Sequence, residues 1–452
     1  MLRIANASAF WGDQPDAAAR VLTALPDLDY LTLDYLAEVS LSIMAAQRER
    51  DPQIGFARDF LGVVSSLAPL WKSGSRCRIV TNAGGLNPEG CARAVLAILA
   101  AAGLGRLRVA IVTGDDVLHH VRGNAALANM ETGEPIDAIR ARIATANAYT
   151  GAAPIADALK AGADIVITGR TADPSLTVGP CIAHYDWKAD DWNRIAGATV
   201  AGHLIECGTQ ACGGFSTDWL DVPEPENIGY PVVEVSDDGS CIVTKPPGTG
   251  GTVSVQTVKE QLLYEIGDPG KYLSPDATVS FLTLKVSDDG ADRVRVSGAT
   301  GKPPPESLKV SATYRDGYRA HGMITIFGHD AVRKARRAGE AVIKRLANAG
   351  FTYDRHLIEC LGTGASVRGL VSRMSDTHLL ETVLRISVAD PRREAIERFA
   401  KEIAPLVTCG PQGVTGYAHG RPSVVPVFGY WPTLVPRALV RTSWKFVEGG
   451  AP

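Results

Sequence analysis

Short apolar runs rich in β-branched residues alternate with stretches of helical spacing up to about residue 185. "LRIANAS" reads as a first strand and "PDAAARVLTAL" as a helix with Pro15 near its start. "DYLTLDY" predicts a second strand and "LAEVSLSIMAAQRER" a helix. "CRIVTNAGG" is a strand running into a glycine turn, and "PEGCARAVLAILAAAG" a helix that closes on glycine. "LRVAIVTGDD" is a further strand. After a less regular segment, "APIADALKAG" places apolar residues at helical spacing, and "ADIVITGR" carries Ile165, Val166 and Ile167 into a core. This β-then-α rhythm predicts an α/β fold with a doubly wound, mostly parallel sheet and right-handed crossovers.

Beyond residue 220 the pattern changes. "PVVEVSDDGSCIVTKPP" and "TVSFLTLKVSDDGADRVRVSGATG" each read as two strands around an Asp-Asp-Gly turn. A Lys/Arg-rich helix follows, "HDAVRKARRAGEAVIKRLANAG", whose alanine and valine stripe faces a core while its basic residues are solvated. Next come a strand "ETVLRISVAD", a helix "PRREAIERFAKEIAPLV" and a proline- and aromatic-rich tail. The predicted organisation is an α/β domain over 1–220, with polar loops at the strand carboxyl ends, and an α+β domain of hairpins and helices over 221–452.

Composition narrows the function. Of the 452 residues, 45% are hydrophobic and 21% charged, and the net charge is -3, so no basic face for nucleic acid or anionic membrane is advertised. The longest apolar runs are too short to span a bilayer, and "MLRIANASAF" lacks the regions of a signal peptide, so a cytoplasmic location is expected. The eight cysteines form no C-x-x-C pair and read as reduced thiols.

Ligands of parallel α/β sheets bind where loops leave the strand carboxyl ends. Four such loops are expected to converge: "SAFWGD"; "TNAGGLNPEG" with Asn82, Gly84 and Gly85; "TGDDVLHH" with Asp115 and Asp116; and "TGRTADP" with Arg170 and Asp173. The glycine turn either receives an anion at the start of the following helix or only closes a tight turn. Arg170 presents a planar fork that suits a carboxylate, or else pairs with Asp173 or Asp116 to hold the loops together. Asp115 and Asp116 suit acid-base work, unless they point apart and one begins a helix. His119 and His120 follow at helical spacing, but the ligand set is incomplete and no metal is expected.

A second cluster lies in "AGHLIECGTQACGGF". His203, Glu206 and Cys207 share one helical face, placing a histidine and a carboxylate for proton transfer, with cysteine either a nucleophile or a packed core residue. In "TKPPGTGGTVSVQTVKEQLLYEIGDP", Lys245 and the Gly248–Gly251 loop including Gly250 either cradle an anion such as the phosphates of a coenzyme A thioester or form a joint. Neither the P-loop pattern nor the dinucleotide fingerprint occurs, so no nicotinamide or flavin cofactor is expected.

The stretches "FWGDQPDAAARVL", "VTNAGGLNPEGCA", "YTGAAPIADALKAGADIVITGRTADPSL", "AGHLIECGTQACGGF", "KPPGTGGTVSVQTVKEQLLYEIGDP" and "RPSVVPVFGYWPTLVPRALV" together resemble the acyclic terpene utilisation (AtuA) family over nearly the whole chain. The resemblance implies a place in the catabolism of branched or acyclic terpenoid acids handled as coenzyme A thioesters. Many members carry a small ferredoxin-like domain after the main body; its absence before Pro452 raises the expectation of a separate ferredoxin-like subunit, a homo-oligomer, or both. Two functions are set against each other: a hydratase or lyase acting on an unsaturated or hydroxylated acid or its thioester, and a non-catalytic metabolite-binding or scaffolding subunit. For the enzyme, Arg170 would hold a carboxylate while Asp115, Asp116, His203 or Glu206 moves a proton.

Overall fold

The computed structural model describes residues 1–367, 379–416 and 420–448. The chain divides into two compact units, Met1–Thr313 with Tyr430–Pro452, and Tyr314–Gly429.

The first unit is built on strands β1 (Leu2–Asn6), β2 (Tyr30–Leu33), β3 (Arg78–Thr81), β4 (Val109–Thr113), β5 (Ile143–Ala148), β6 (Ile165–Thr168), β7 (Val232–Val235), β8 (Cys241–Thr244), β9 (Tyr272–Leu273), β10 (Thr278–Ser280), β11 (Lys285–Asp288), β12 (Val294–Ser297) and β13 (Thr300–Lys302). Five parallel strands in the order β1-β2-β3-β6-β4 form the centre of a ten-stranded sheet. The hairpin strands β7, β8, β12 and β11 extend it antiparallel beyond β1. The mixed α/β architecture with a largely parallel centre is the one the β-then-α rhythm predicts.

Side chains alternate across a strand, so each central strand feeds two cores. Ile79, Ile111, Ile165 and Ile167 pack with the helices Ala17–Ala24, Asp59–Lys72 and Pro88–Ala101. Val80, Val112 and Val166 join the opposite core with Ala153–Lys160, Ser175–Tyr185 and Trp192–Glu206. Burial on both faces explains why these strands read as continuous apolar runs. A small sheet, β13-β10-β9, stands apart from the large one.

Strand β14 (Ser307–Phe327) begins in the first unit, where Tyr149 N donates to Lys309 O at 2.9 Å. In the second unit, its residues 318–327 pair antiparallel with β16 (Glu381–Asp390), which follows β15 (Arg355–Leu361) in the chain and pairs with it. The basic helix Ala331–Asn348 lays Ala335, Ala338, Val342 and Leu346 against this sheet, as its apolar stripe predicts. Strand β17 (Val414–Gly416) pairs with β14, and β18 (Val425–Pro436) carries the chain back to the first unit, where Trp431 is buried and Leu434 half-exposed. The last strand, β19 (Ser443–Phe446), pairs antiparallel with β4. Among the described residues, no helix is long and apolar enough to cross a membrane.

Candidate active site

The central strands end on polar residues that bond one another. Asn82, directly after β3, donates from Nδ2 to Asp34 Oδ1 at 2.6 Å and accepts from Tyr35 N at 2.7 Å. Arg170, two residues past β6, is buried: its guanidinium donates to Leu36 O, to Thr171 O and to Asp173 Oδ1, and stacks 4.4 Å from the Tyr149 ring centroid. The carboxylate that Arg170 holds is therefore that of Asp173. Burial pushes the Asp34 carboxyl well up, with Asp173 adding to the rise and Arg170 opposing it.

Beside this network opens a cavity of about 340 Å³. Met130, Ile266, Leu273, Pro275, Leu308 and Leu434 give it an apolar wall, and Asp173, His203, Glu206, Glu265, Tyr149, Tyr272, Lys309 and Glu38 line the rest. His203 and Glu206 occupy the last turn of the helix Trp192–Glu206. That turn is fastened to the carboxyl end of β1, because Asn6 Nδ2 donates to the carbonyls of Ile205 at 2.7 Å and Glu206 at 3.0 Å, satisfying acceptors that a helix end leaves open. Asp173 arrives on the loop after β6, Tyr272 on β9 and Lys309 on β14.

His203 Nδ1 lies 2.8 Å from Glu206 Oε1, and His203 Nε2 lies 2.9 Å from the Gln261 carbonyl oxygen. A carbonyl only accepts, so Nε2 carries hydrogen and the second proton of the pair sits between Nδ1 and the carboxyl. Burial raises the Glu206 carboxyl, its bond to His203 works against that, and the Asp173 charge raises it further. The second carboxyl oxygen, Oε2, is buried without a hydrogen-bond partner among the described residues. Burial, followed by the Glu206 charge, keeps the Tyr272 phenol protonated. A histidine and carboxyl that share a proton beside an apolar wall can take up and return a proton at a bound molecule.

The model of the acyclic terpene utilisation family, AtuA, matches residues 2–446. The chain belongs to the AtuA family. No curated protein and no solved structure matches it.

The chain brings together only some of the residues that its sequence singles out. Asp173, His203 and Glu206 line the cavity, with Arg170 bracing Asp173 and Asn82 bracing Asp34. Asp115 is buried; its Oδ2 accepts from Arg170 N and Asn147 Nδ2, both at 2.8 Å, and burial lifts its pKa to about 6. Asp116 is exposed and turns away, accepting from Leu118 N at 2.9 Å where a short helix begins. Gly84 and Gly85 are pressed into packing: a Cβ on Gly84 would meet Thr168 O at 2.5 Å, and Gly85, at φ +49°, lies against Met44. Lys245 donates to Thr249 O at 2.6 Å and pairs with Asp292 at 3.2 Å. Gly250 is close-packed, since a Cβ there would lie 2.3 Å from Glu224 O. Burial pushes the Cys207 and Cys212 thiols up, against a thiolate nucleophile. Among the described residues, no group of three or more His, Cys, Asp or Glu side chains is placed to hold a metal.

Glu38, Tyr149, Tyr272 and Lys309 also line the cavity, though none of them stands out in the sequence as a site residue. Of the loops singled out in the sequence, "TGRTADPSL" is the one that brings Asp173 to this cavity. Of the apolar wall, Leu434 comes from the aromatic tail, and Met130, Leu273, Pro275 and Leu308 come from stretches to which the sequence pattern assigns no element.

Proposed function

We propose that this chain is an enzyme of branched or acyclic terpenoid acid breakdown that adds or removes water across an activated carbon–carbon double bond of the acid or its coenzyme A thioester. The observation that carries the reading is the His203–Glu206 pair, 2.8 Å apart, at a cavity with an apolar wall. The family's name supplies the terpenoid context, and the apolar wall suits a branched hydrocarbon chain. In hydration, the pair takes a proton from water as the oxygen bonds to the β-carbon. The π electrons move towards the carbonyl, and the α-carbon then receives a proton from the pair. Tyr272, held protonated, donates a hydrogen bond to the carbonyl oxygen as charge gathers there.

The test incubates the purified protein with a panel of branched unsaturated acids and their coenzyme A thioesters, following enoyl absorbance and gain of one water by mass. The expected result is conversion by the native chain and its loss in H203N and E206Q. Conversion at the native rate by both variants would overturn the assignment of the pair. Tight binding of a panel member without conversion would favour the non-catalytic binding subunit instead.

A further inference from the structure

A second pocket of about 320 Å³ lies in the same unit, where the end of the helix Ser40–Arg50 faces β5 and the loop after β4. The helix end carries Arg48 and Glu49, and the facing segments carry Asp116 and Asn147; Ala45, Leu86 and Leu118 give it apolar area. Asp116 and Asn147 form an antiparallel bridge, which sets their side chains on the same face with Cβ atoms about 5 Å apart. Asn147 is buried, and its amide nitrogen donates to the Asp115 carboxylate. That bond fixes the amide orientation and leaves Oδ1 as the acceptor, which has no partner among the described residues. A buried acceptor without a partner is destabilising, so a donor in the pocket would relieve it. The Asp116 carboxylate bonds only the Leu118 amide, and the Arg48 guanidinium only the Leu86 carbonyl at 3.2 Å, so each makes no ion pair among the described residues.

We propose that this pocket binds a small zwitterion of the free α-amino acid class. Its ammonium donates to Asp116 and to Asn147 Oδ1, its carboxylate meets the Arg48 guanidinium, and a short apolar side chain rests on Leu86 and Leu118. An unpaired carboxylate and an unpaired guanidinium on facing walls match an ammonium and a carboxylate held on one carbon, and match a simple amine or acid by only half.

Calorimetric titration of the native chain with each of the free α-amino acids tests this. For any that binds, the matched decarboxylated amine and deaminated acid are titrated too, such as isobutylamine and 3-methylbutanoate for valine. At least one amino acid is expected to bind, at least tenfold more tightly than its amine or its acid. Asp116→Asn and Arg48→Met, both changes near the surface, should each weaken it tenfold or more without changing the melting temperature. Absence of binding by every amino acid, equal binding of a matched amine or acid, or undiminished binding by both variants would overturn the proposal.

Discussion

The ring of His203 is gripped at both nitrogens, by the Glu206 carboxyl at 2.8 Å and by the Gln261 carbonyl at 2.9 Å. The two residues therefore act as one proton-holding group. Replacing Glu206 by Gln preserves the shape but removes the exchangeable carboxyl proton. On a substrate that the native chain converts, E206Q is expected to lose turnover by about 10²–10⁴-fold. KM should change little and thermal unfolding should stay native-like. A turnover loss of less than tenfold would remove Glu206 from the chemistry.

Arg170 spends its guanidinium inside the protein, on two carbonyls and on Asp173. Its removal leaves buried acceptors and a carboxylate uncompensated, which costs about 3–5 kcal/mol. Lysine cannot reproduce a planar fork stacked on Tyr149. Both R170A and R170K are therefore expected to unfold at markedly lower urea concentration than the native chain. Native stability in R170K would show that a point charge is sufficient.

Asp115 makes stability depend on pH. Burial raises its pKa to about 6, above the value of about 3.9 for an unfolded chain. The folded protein thus keeps a proton that the unfolded chain releases, and this contribution is complete below about pH 4 and is lost as pH rises through 6. Asp115→Asn does not titrate. Relative to the native chain it should gain on the order of 3 kcal/mol between pH 4 and pH 8 in denaturant titrations. Parallel pH dependences for the two proteins would contradict the shift.

Leu434 is half-exposed and lines the mouth of the larger cavity. A tryptophan there has room to turn inward and occupy the space a ligand needs. Leu434→Trp should abolish binding of a hydrophobic acyl ligand at that cavity while leaving the melting temperature within a few degrees of native. Unchanged binding would place the ligand elsewhere.

The parallel sheet was legible because its strands are buried on both faces and its helices close on glycine, both of which are local signals. The His203–Glu206 pair was legible for a similar reason: three residues on a helix place two side chains on one face. Asp173 was reachable through the loop after β6, but not its bond to Arg170, since a fork suits a carboxylate of the protein as well as one of a ligand. Tyr149 follows β5, Tyr272 lies on β9 and Lys309 on β14, segments far apart in sequence that only tertiary folding brings to one wall. The Gly84, Gly85 and Gly250 turns resembled anion cradles because glycine permits close approach, whether of a ligand or of the protein's own backbone.

Strand β19 bears on how the protein is made. It pairs with β4, far earlier in the sequence, with Arg108 stacked 3.7 Å from the Phe446 ring centroid and Lys445 bonded to Glu89 at 3.0 Å. As the chain leaves the ribosome, β4 is ready more than three hundred residues before its partner emerges. During that interval its backbone donors and acceptors form an open edge, the kind of surface on which nascent chains pair with the wrong neighbour. The edge is covered only once residues 443–446 have emerged, so until then β4 is the part of the sheet most in need of protection.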